Sequence, residues 1–499
     1  MNFGWQKIRL SEHRFLSPLA DLYGDIELEN FTLDPSKEFS RTECDGVITL
    51  RGWIGERMVG IIFNDFRVNG GSFGKACGLR ASTFIREMDA QGCPIILALN
   101  TIGLRIMEGR TVARNSFSMV PALKKFTESN LLITVTVGRC LGIGAILFAL
   151  GQYRVGIRGE GLLSLAGPEV MRLFFGAKVA FEDLASVERN FEQTPLVHEL
   201  LADKGVAFKR IRQLLLFPQA EAVDFPETVV VSASLKKSDP KLFSILSSIG
   251  ESPIEVFGQR SAVVRAFILK RKDHGLVGVL INPPGNANNM ISTATLQKYS
   301  DAMDFFKAMG VPVISVLDAP GVDPRVEQMD NNLLKSIVDI SLRIMDYPHG
   351  LMGVVAGRCF GGSSVLGFPR YFGSNRVVAF KGCQLGIMHE SIITQLLSSS
   401  PRLQEEWNKA SQAQTPDLKD LIDEGIIDAL IDESDLGAQV ELFLEELRPV
   451  FEAPVEIMRP VFREVRRLRG RHLRQPLRES SHRASLLVAQ LKNPARSRH

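Results

Sequence analysis

Alternating apolar and polar residues predict the same β-hairpin at two places in the chain. The first run covers residues 46–66 with a turn at Gly55, and the second covers residues 263–285. A period of two is typical of strands that bury one face, and the turn between two such runs predicts a hairpin. We therefore expect two domains that each begin with an antiparallel strand pair.

The elements predicted after each hairpin also occur twice in the same order. A helix is expected at residues 74–90 and 292–309, followed by a proline-initiated strand and a longer helix. An apolar strand then leads into a glycine-rich segment and another helix; the segments are GRCLGIGA at 138–145 and GRCFGGSS at 357–364. This order predicts an α/β fold with mainly parallel sheets and ligands at the carboxyl ends of the strands.

Matched residues indicate that a whole domain is duplicated. Asn100 corresponds to Asp318 at a distance of 218 positions, and the glycine-rich segments are 219 positions apart. This period suits a domain rather than a solenoid repeat. The predicted organisation, with a polar linker near residues 218–255, is an N-terminal extension at 1–42, similar domains at 43–245 and 246–450, and a basic tail at 451–499.

The most apolar segment, residues 131–150, is long enough to raise the question of a membrane span. Arg139 interrupts it, its first part is rich in β-branched residues, and its second part has helical character. We expect a buried strand, a turn and a buried helix, and no membrane partner.

Composition favours a globular, cytoplasmic protein. Of the 499 residues, 45% are hydrophobic and 23% are charged, which excludes disorder for the bulk of the chain. The six cysteines show no zinc-site spacing, and the N-terminus lacks a signal-peptide pattern. We predict no metal site. Cys140 and Cys359 occupy matched positions beside glycines, where packing is favoured over a catalytic thiol.

Charge is concentrated at the C-terminus. Residues 459–499 carry a net charge of +10, whereas the whole chain carries +3. A solvated extension, or a contact with an acidic subunit, is the favoured interpretation. No aromatic residues interleave the arginines from Arg463 onward, so no nucleic-acid partner is predicted.

The glycine-rich segments are the strongest candidates for catalysis. A strand that passes directly into a helix leaves backbone N–H groups that can stabilise an enolate or another oxyanion. The spacing matches neither a dinucleotide fingerprint nor a P-loop, and close packing alone is the alternative explanation. No GxSxG or HExxH motif is present, which favours catalysis by backbone donors. The predicted donors are Gly142, Ile143, Gly144, Gly361, Gly362 and Ser363.

Several motifs resemble those of the carboxyltransferase component of biotin-dependent acyl-CoA carboxylases. The family motif GARIxEG is similar to residues 103–109, and FGGSL is similar to residues 69–73. The remaining matches are GPCAGGA at 138–144, GPDV at 167–170, DxPG at 318–321, AYGGA at 359–363, and the end of bacterial acetyl-CoA carboxyltransferase α subunits at 418–438.

The resemblance implies tandem crotonase-like domains that together catalyse carboxyl transfer. The first glycine-rich segment would hold the enolate of a CoA or carrier-bound thioester, and the second would hold the ureido oxygen of biotin. The biotin would be carried on a separate protein and carboxylated by a biotin carboxylase, and the chain would form at least a homodimer. The substrate-binding residues it implies are Gly70, Gly71, Gly103, Leu104, Arg105, Glu108, Gly167, Pro168, Pro320 and Gly321.

Three segments depart from the family pattern. Ile143 replaces a glycine but keeps its N–H, and residues 182–187 lack the two glycines of EELGGAxxH. Residues 388–393 differ from MGxxGA, which makes His389 and Glu390 either polar ligand contacts or an ordinary surface pair. The alternatives to carboxyl transfer are biotin-independent decarboxylation of a malonyl-type thioester and a non-catalytic scaffold subunit.

Overall fold

The computed structural model describes most of the two predicted domains. The described residues are 8–9, 27–28, 46–54, 57–109, 111–175, 180–216, 238–260, 262–271, 275–286, 289–386, 395, 405 and 420–451. The chain divides into two compact units. The first comprises residues 1–227 with 257–260 and 308–310, and the remaining residues form the second.

The first unit is built on a mixed, mainly parallel sheet. Its strands are β1 Ile8–Arg9, β2 Glu27–Leu28, β3 Val47–Ile54, β4 Arg57–Asn64, β5 Ile95–Thr101, β6 Leu132–Leu141, β7 Tyr153–Ile157, β8 Leu162–Ser164 and β9 Glu199–Leu201. The sheet order is β3-β4-β5-β6-β7-β9, with β8 paired to the end of β6; β1 pairs separately with β2. Within this sheet only the β3–β4 hairpin is antiparallel.

Helices cover this sheet and complete its core. They are α1 Lys75–Gln91, α2 Thr111–Phe117, α3 Met119–Phe126, α4 Ile143–Ala149, α5 Pro168–Phe175, α6 Phe181–Ala185, α7 Val187–Gln193 and α8 Lys204–Leu216, with 3₁₀ turns at Asn69–Gly71 and Ile106–Glu108. Ile85 of α1, Phe126 of α3 and Leu97 of β5 lie in one buried cluster. Every residue of β5 is buried, as expected for a parallel strand covered on both faces.

The second unit repeats this plan with one additional antiparallel strand. Its strands are β10 Glu251–Val256, β11 Arg265–Lys270, β12 Leu276–Ile281, β13 Val313–Ala319, β14 Leu351–Phe360, β15 Arg376–Phe380, β16 Gln384–Gly386 and β17 Ala429–Ile431. The order is β10-β11-β12-β13-β14-β15-β17, with β16 paired to the end of β14. The strands from β12 onward pair in parallel.

The helices of the second unit follow the same order as those of the first. They are α9 Pro240–Ile249, α10 Thr293–Met309, α11 Val326–Asp330, α12 Leu333–Met345, α13 Asp420–Asp423 and α14 Leu436–Phe451, with 3₁₀ turns at Gly361–Gly367, Arg370–Phe372 and Glu433–Asp435. Leu246 of α9 and Phe443 of α14 share a buried cluster with Val279 of β12 and Val316 of β13.

The predicted α/β class with mainly parallel sheets is confirmed, and both hairpins form. The apolar segment 131–150 contains β6 and α4, and no helix in the described part of the chain is long and apolar enough to cross a membrane. Residues 240–255 lie in the segment predicted as linker but form α9 and most of β10, because their apolar residues recur first at helical and then at strand spacing. The helix expected after the second glycine-rich segment is a 3₁₀ helix.

Candidate active site

Both glycine-rich segments lie at the carboxyl end of a central parallel strand. Between Leu99 and Thr101 of β5, the partner strand β6 advances by four residues instead of two, from Thr136 to Cys140. β14 makes the same irregular step beside β13. The strand therefore leaves the ladder and rejoins it just before its glycines, which places the glycine-rich segment at the edge where parallel sheets bind ligands.

In the first unit, two predicted substrate-binding segments are joined by backbone hydrogen bonds. The N–H of Ile102 donates to the carbonyl of Gly70 at 3.1 Å, and the N–H of Phe73 donates to the carbonyl of Gly103 at 2.8 Å. Gly71 has a φ of +62°, and a Cβ there would lie 2.1 Å from the carbonyl oxygen of Asn100. Only glycine fits this position, so the pair of segments forms one closely packed layer.

The candidate donors of the first site are the N–H groups of Ile143 and Gly144. Both residues are buried and are the first two residues of α4, so neither N–H has a partner within the helix. The first hydrogen bond of α4 runs from the N–H of Ile146 to the carbonyl of Gly142. The N–H of Gly142, also a predicted donor, instead donates to the carbonyl of Ser164 at 2.9 Å. Gly142 thus attaches β8 to the site, and its φ of +58° turns the chain into α4.

The side chains at these positions have structural roles. A Cβ on Gly144 would lie 2.5 Å from Cγ2 of Thr101, so close packing and donor presentation both require glycine here. The Ile143 side chain is buried in the core of the first unit, so this replacement of the family glycine adds no bulk on the side of its N–H.

Arg105 and Glu108, predicted to bind substrate, hold a loop in place. Arg105 Nη2 donates to the carbonyl of Ser72 at 3.0 Å, and its Nη1 donates to Glu108 Oε1 at 3.0 Å. Glu108 Oε2 accepts the N–H of Lys75, the first residue of α1, at 2.6 Å. This backbone hydrogen bond is the main reason why the pKa of Glu108 lies below its usual value. These contacts fix the glycine layer to α1.

Gly167 and Pro168 lie near the first site through β8. Pro168 begins α5, and a Cβ at Gly142 would lie 4.0 Å from the carbonyl oxygen of Leu165. Leu165, which precedes α5, and Leu173 within α5 are exposed. Ile106 and Met107 in the 3₁₀ turn at Ile106–Glu108 are exposed as well. The first site is therefore accompanied by exposed apolar side chains.

The second site has one backbone donor that is open to solvent. Gly361 and Gly362 are both exposed, but Gly361 corresponds to Gly142 and follows Phe360, which pairs with Gly386 of β16 as Leu141 pairs with Ser164. Gly362 is the second residue of the 3₁₀ helix, and its N–H has no partner within that helix. The i to i−3 pattern of the 3₁₀ helix engages N–H groups from its third residue, Ser363, onward. Ser363 was also a predicted donor, but its side chain is buried and donates to the carbonyl of Phe360 at 2.8 Å. It connects the helix to the end of β14.

Pro320 and Gly321 belong to a backbone layer equivalent to that of the first unit. The N–H of Ile291 donates to the carbonyl of Gly321 at 2.9 Å, as Phe73 does to Gly103 in the first copy. A Cβ on Gly362 would lie 3.3 Å from Cγ1 of Val322, which places this layer directly beside Gly362.

A charged network at the second site was not predicted from the sequence. Asp318 accepts hydrogen bonds from the side chain and the N–H of Arg358, both at 2.8 Å, and from the N–H of Gly285 at 2.7 Å. The available signal was the replacement of Asn100 by aspartate in the second copy, beside an arginine that both copies share.

The remaining candidate residues divide into packed cysteines and residues beyond the described ranges. The packing prediction for Cys140 and Cys359 is confirmed, because both are buried. Burial raises the pKa of both thiols, that of Cys359 to about 12. No group of three or more potential metal ligands occurs in the described ranges. His389 and Glu390 lie outside them.

Two α/β units, each with a glycine-rich segment at the end of a central parallel strand, are consistent with the expected tandem crotonase-like fold. Residues 23–266 match the carboxyl transferase domain family. The propionyl-CoA carboxylase β chain of Saccharopolyspora erythraea is 23% identical over 388 residues, which cover 72% of this chain and 69% of that protein. The methylmalonyl-CoA decarboxylase α subunit of Veillonella parvula is 22% identical over 394 residues, with coverages of 74% and 77%.

A solved structure has the same fold. Transcarboxylase 12S, reported as a hexamer assembly with hydrolysed methylmalonyl-CoA bound, gives a TM-score of 0.69 at 21% identity and covers 85% of this chain and 88% of that chain. These findings confirm the resemblance drawn from the motifs. The chain is similar, at low identity, to carboxyltransferase subunits of acyl-CoA carboxylases.

Proposed function

We propose that this chain catalyses carboxyl transfer between carboxybiotin and the α-carbon of an acyl-CoA thioester. The observation that carries the proposal is the pair of matched backbone donors, Ile143 and Gly362, which lie at equivalent positions in the two copies and at the start of a helix, where the N–H has no partner within the helix. Gly144 adds a second donor to the first site. The relatives named above support the chemistry, since they include a propionyl-CoA carboxylase subunit and a transcarboxylase.

The first donor pair suits the thioester. An acyl thioester that loses its α-proton places negative charge on its carbonyl oxygen, and fixed N–H donors stabilise that charge. Each such donor typically contributes about 10²–10³-fold in rate. Ile143 and Gly144 are rigidly held, because Gly144 packs against Thr101 and the Ile143 side chain is buried in the core. The donors therefore need little reorganisation during the reaction.

The second donor suits the ureido oxygen of biotin, which gains negative charge when carboxybiotin gives up its carboxyl group. Gly361 turns the chain with a φ of +54°, and Gly362 places no side chain over its N–H. Carboxybiotin would supply the carboxyl group, arriving on a separate carrier protein. The N–H of Gly362 would hold and orient its ureido oxygen, while Asp318 and Arg358 hold the neighbouring loops.

A dependence of turnover on biotin tests this proposal. Malonyl-CoA and methylmalonyl-CoA should release CO₂ in the presence of the enzyme and free biotin, and at a background rate without biotin. Release that is independent of biotin would contradict carboxyl transfer and favour a decarboxylase. Absence of both thioester binding and turnover would favour a scaffold subunit.

We further propose that the chain acts in the cytoplasm as an assembly of at least two copies. The solved relative is reported as a hexamer assembly. Leu334, Val338 and Leu342 are exposed at successive turns of α12 and form an apolar face suited to a protein contact. Sedimentation should give at least a dimer, and Val338→Glu should shift it toward the monomer. A monomeric wild-type protein at micromolar concentration would contradict the assembly.

A further inference from the structure

The Asp318 carboxylate joins three chain segments at the carboxyl edge of the second sheet. Oδ1 accepts the N–H and Nε of Arg358 on β14, each at 2.8 Å, and Oδ2 accepts the N–H of Gly285 after β12 at 2.7 Å. Arg358 Nη2 also donates to the carbonyl of Asn286 at 2.6 Å. The Asp318 side chain is 4% exposed and that of Arg358 is 26% exposed.

This contact lies where β14 leaves its ladder. Ala319 pairs with Cys359, whereas Leu317 pairs with Val355, so the residues between Val355 and Cys359 bulge from the sheet. An N–H that leaves the ladder at a bulge needs another acceptor, and the Asp318 carboxylate supplies it for the half-buried Arg358. The bulge ends three residues before Gly362, so its geometry determines the direction in which the N–H of Gly362 points.

In the first copy, a neutral amide takes the place of the Asp318 carboxylate. Asn100 Oδ1 accepts the N–H of Arg139 at 3.1 Å, and the Arg139 guanidinium lies 5.9 Å from the centre of the Phe66 ring. An amide has one acceptor oxygen and cannot accept a second backbone N–H through its nitrogen. A carboxylate accepts at both oxygens, so the second copy holds one additional loop.

We propose that Asp318, together with Arg358, is a positioning residue that sets the N–H of Gly362, the donor of the second site, in its reactive geometry. This inference rests on the proposed function. Neither side chain contacts the reacting atoms; the pair acts by fixing the β14 bulge and the loop at Gly285. Asp318→Asn keeps the size of the side chain but leaves either the N–H of Arg358 or that of Gly285 without an oxygen acceptor.

Steady-state kinetics of the full-length protein distinguish positioning from general structural support. Asp318→Asn should lower kcat for carboxyl transfer about tenfold to 10²-fold, because small displacements of aligned groups have effects of this size. The KM for the acyl-CoA should change less than about twofold, because the first unit binds it. Adding Arg358→Gln to Asp318→Asn should lower kcat by much less than the product of the two single effects, since both substitutions disrupt the same Asp318–Arg358 contact.

The matched control is Asp432→Asn, which removes a carboxylate from an exposed ion pair with Lys381 in the same unit. It should leave kcat unchanged. The proposal would be overturned by any of three results. These are an equal loss of kcat in Asp432→Asn, an unchanged kcat in Asp318→Asn, or effects of Asp318→Asn and Arg358→Gln on kcat that multiply in the double variant.

Amide hydrogen exchange keeps the inference separable from the proposed function. In Asp318→Asn, the amide of Arg358 or of Gly285 should exchange at least about tenfold faster, whereas the amide of Arg139 should be unaffected. If the wild-type protein has no transferase activity, the proposed function fails and exchange alone decides. Unchanged protection of both Arg358 and Gly285 would then refute the positioning role.

Discussion

Gly362→Pro is expected to lower kcat for carboxyl transfer by roughly 10²–10³-fold in a protein that still folds. Proline removes the N–H of Gly362, the open donor of the second site. The position accepts the proline ring because it is the second residue of a 3₁₀ helix, where the N–H has no partner within the helix. Steady-state assay with free carboxybiotin and an acyl-CoA measures the loss.

Gly362→Ala is the control for this substitution, because it adds a side chain but keeps the N–H. Its Cβ would lie 3.3 Å from Val322 Cγ1, so a shift of a few tenths of an ångström accommodates it. Alanine should therefore retain most of the activity that proline removes. Full activity in a folded Gly362→Pro protein would show that this N–H is not a donor in the reaction.

Gly144→Ala is expected to destabilise the first unit by about 1–3 kcal/mol, the usual range for overpacking a close contact. The added Cβ would lie 2.5 Å from Thr101 Cγ2, although the N–H of residue 144 is retained. Any displacement of α4 would also raise the KM for the thioester. Chemical denaturation with the substrate KM measures both effects.

Thr101→Ser provides a direct rescue of Gly144→Ala. Serine lacks the Cγ2 methyl group but keeps the hydroxyl oxygen that accepts the N–H of Gly103 at 3.0 Å. The next nearest atom to the added Cβ is Cys140 Sγ at 3.5 Å, an ordinary contact. The double variant should recover most of the stability that Gly144→Ala loses. Equal destabilisation with and without Thr101→Ser would contradict the steric explanation.

The positions of the main elements could be predicted from the sequence because their signals are local and repeated. The alternation in residues 46–66 specifies a hairpin by itself, and the second copy at 263–285 independently gives the same result. The segment near residues 218–255 was less predictable. Its prolines and polar residues concealed the helical spacing of α9 and the strand that follows.

The donors were only partly predictable, because an N–H is available only when no distant residue accepts it. Ser164 engages the N–H of Gly142 from β8, 22 positions along the chain. Ser363 was chosen by its position in the motif, but the 3₁₀ pattern, which replaces the expected α-helix, engages its N–H. Motif spacing carries no information about either partner.

The roles of the charged side chains were harder to predict from the sequence than the positions of the backbone donors. Arg105 and Glu108 match a family motif, but their partners are Ser72 and Lys75, about 33 positions away, and these contacts hold a loop. Asp318 was visible in the sequence only as the first residue of the DxPG match and as the aspartate that replaces Asn100 in the second copy. Its role depends on a strand irregularity that no periodic pattern reveals.

Transfer of an isotopic label from carboxybiotin to an acyl-CoA is the direct test of the proposed carboxyl transfer. The enzyme is incubated with free carboxybiotin, labelled with ¹⁴C in the carboxyl group on its ureido nitrogen, and with an unlabelled acyl-CoA. The acyl-CoA products are then separated and their radioactivity is counted. We expect label in a carboxylated acyl-CoA, and we expect the rate of label incorporation to fall by roughly 10²–10³-fold in Gly362→Pro. Unlabelled product from the wild-type protein, together with biotin-independent release of CO₂ from malonyl-CoA, would contradict it.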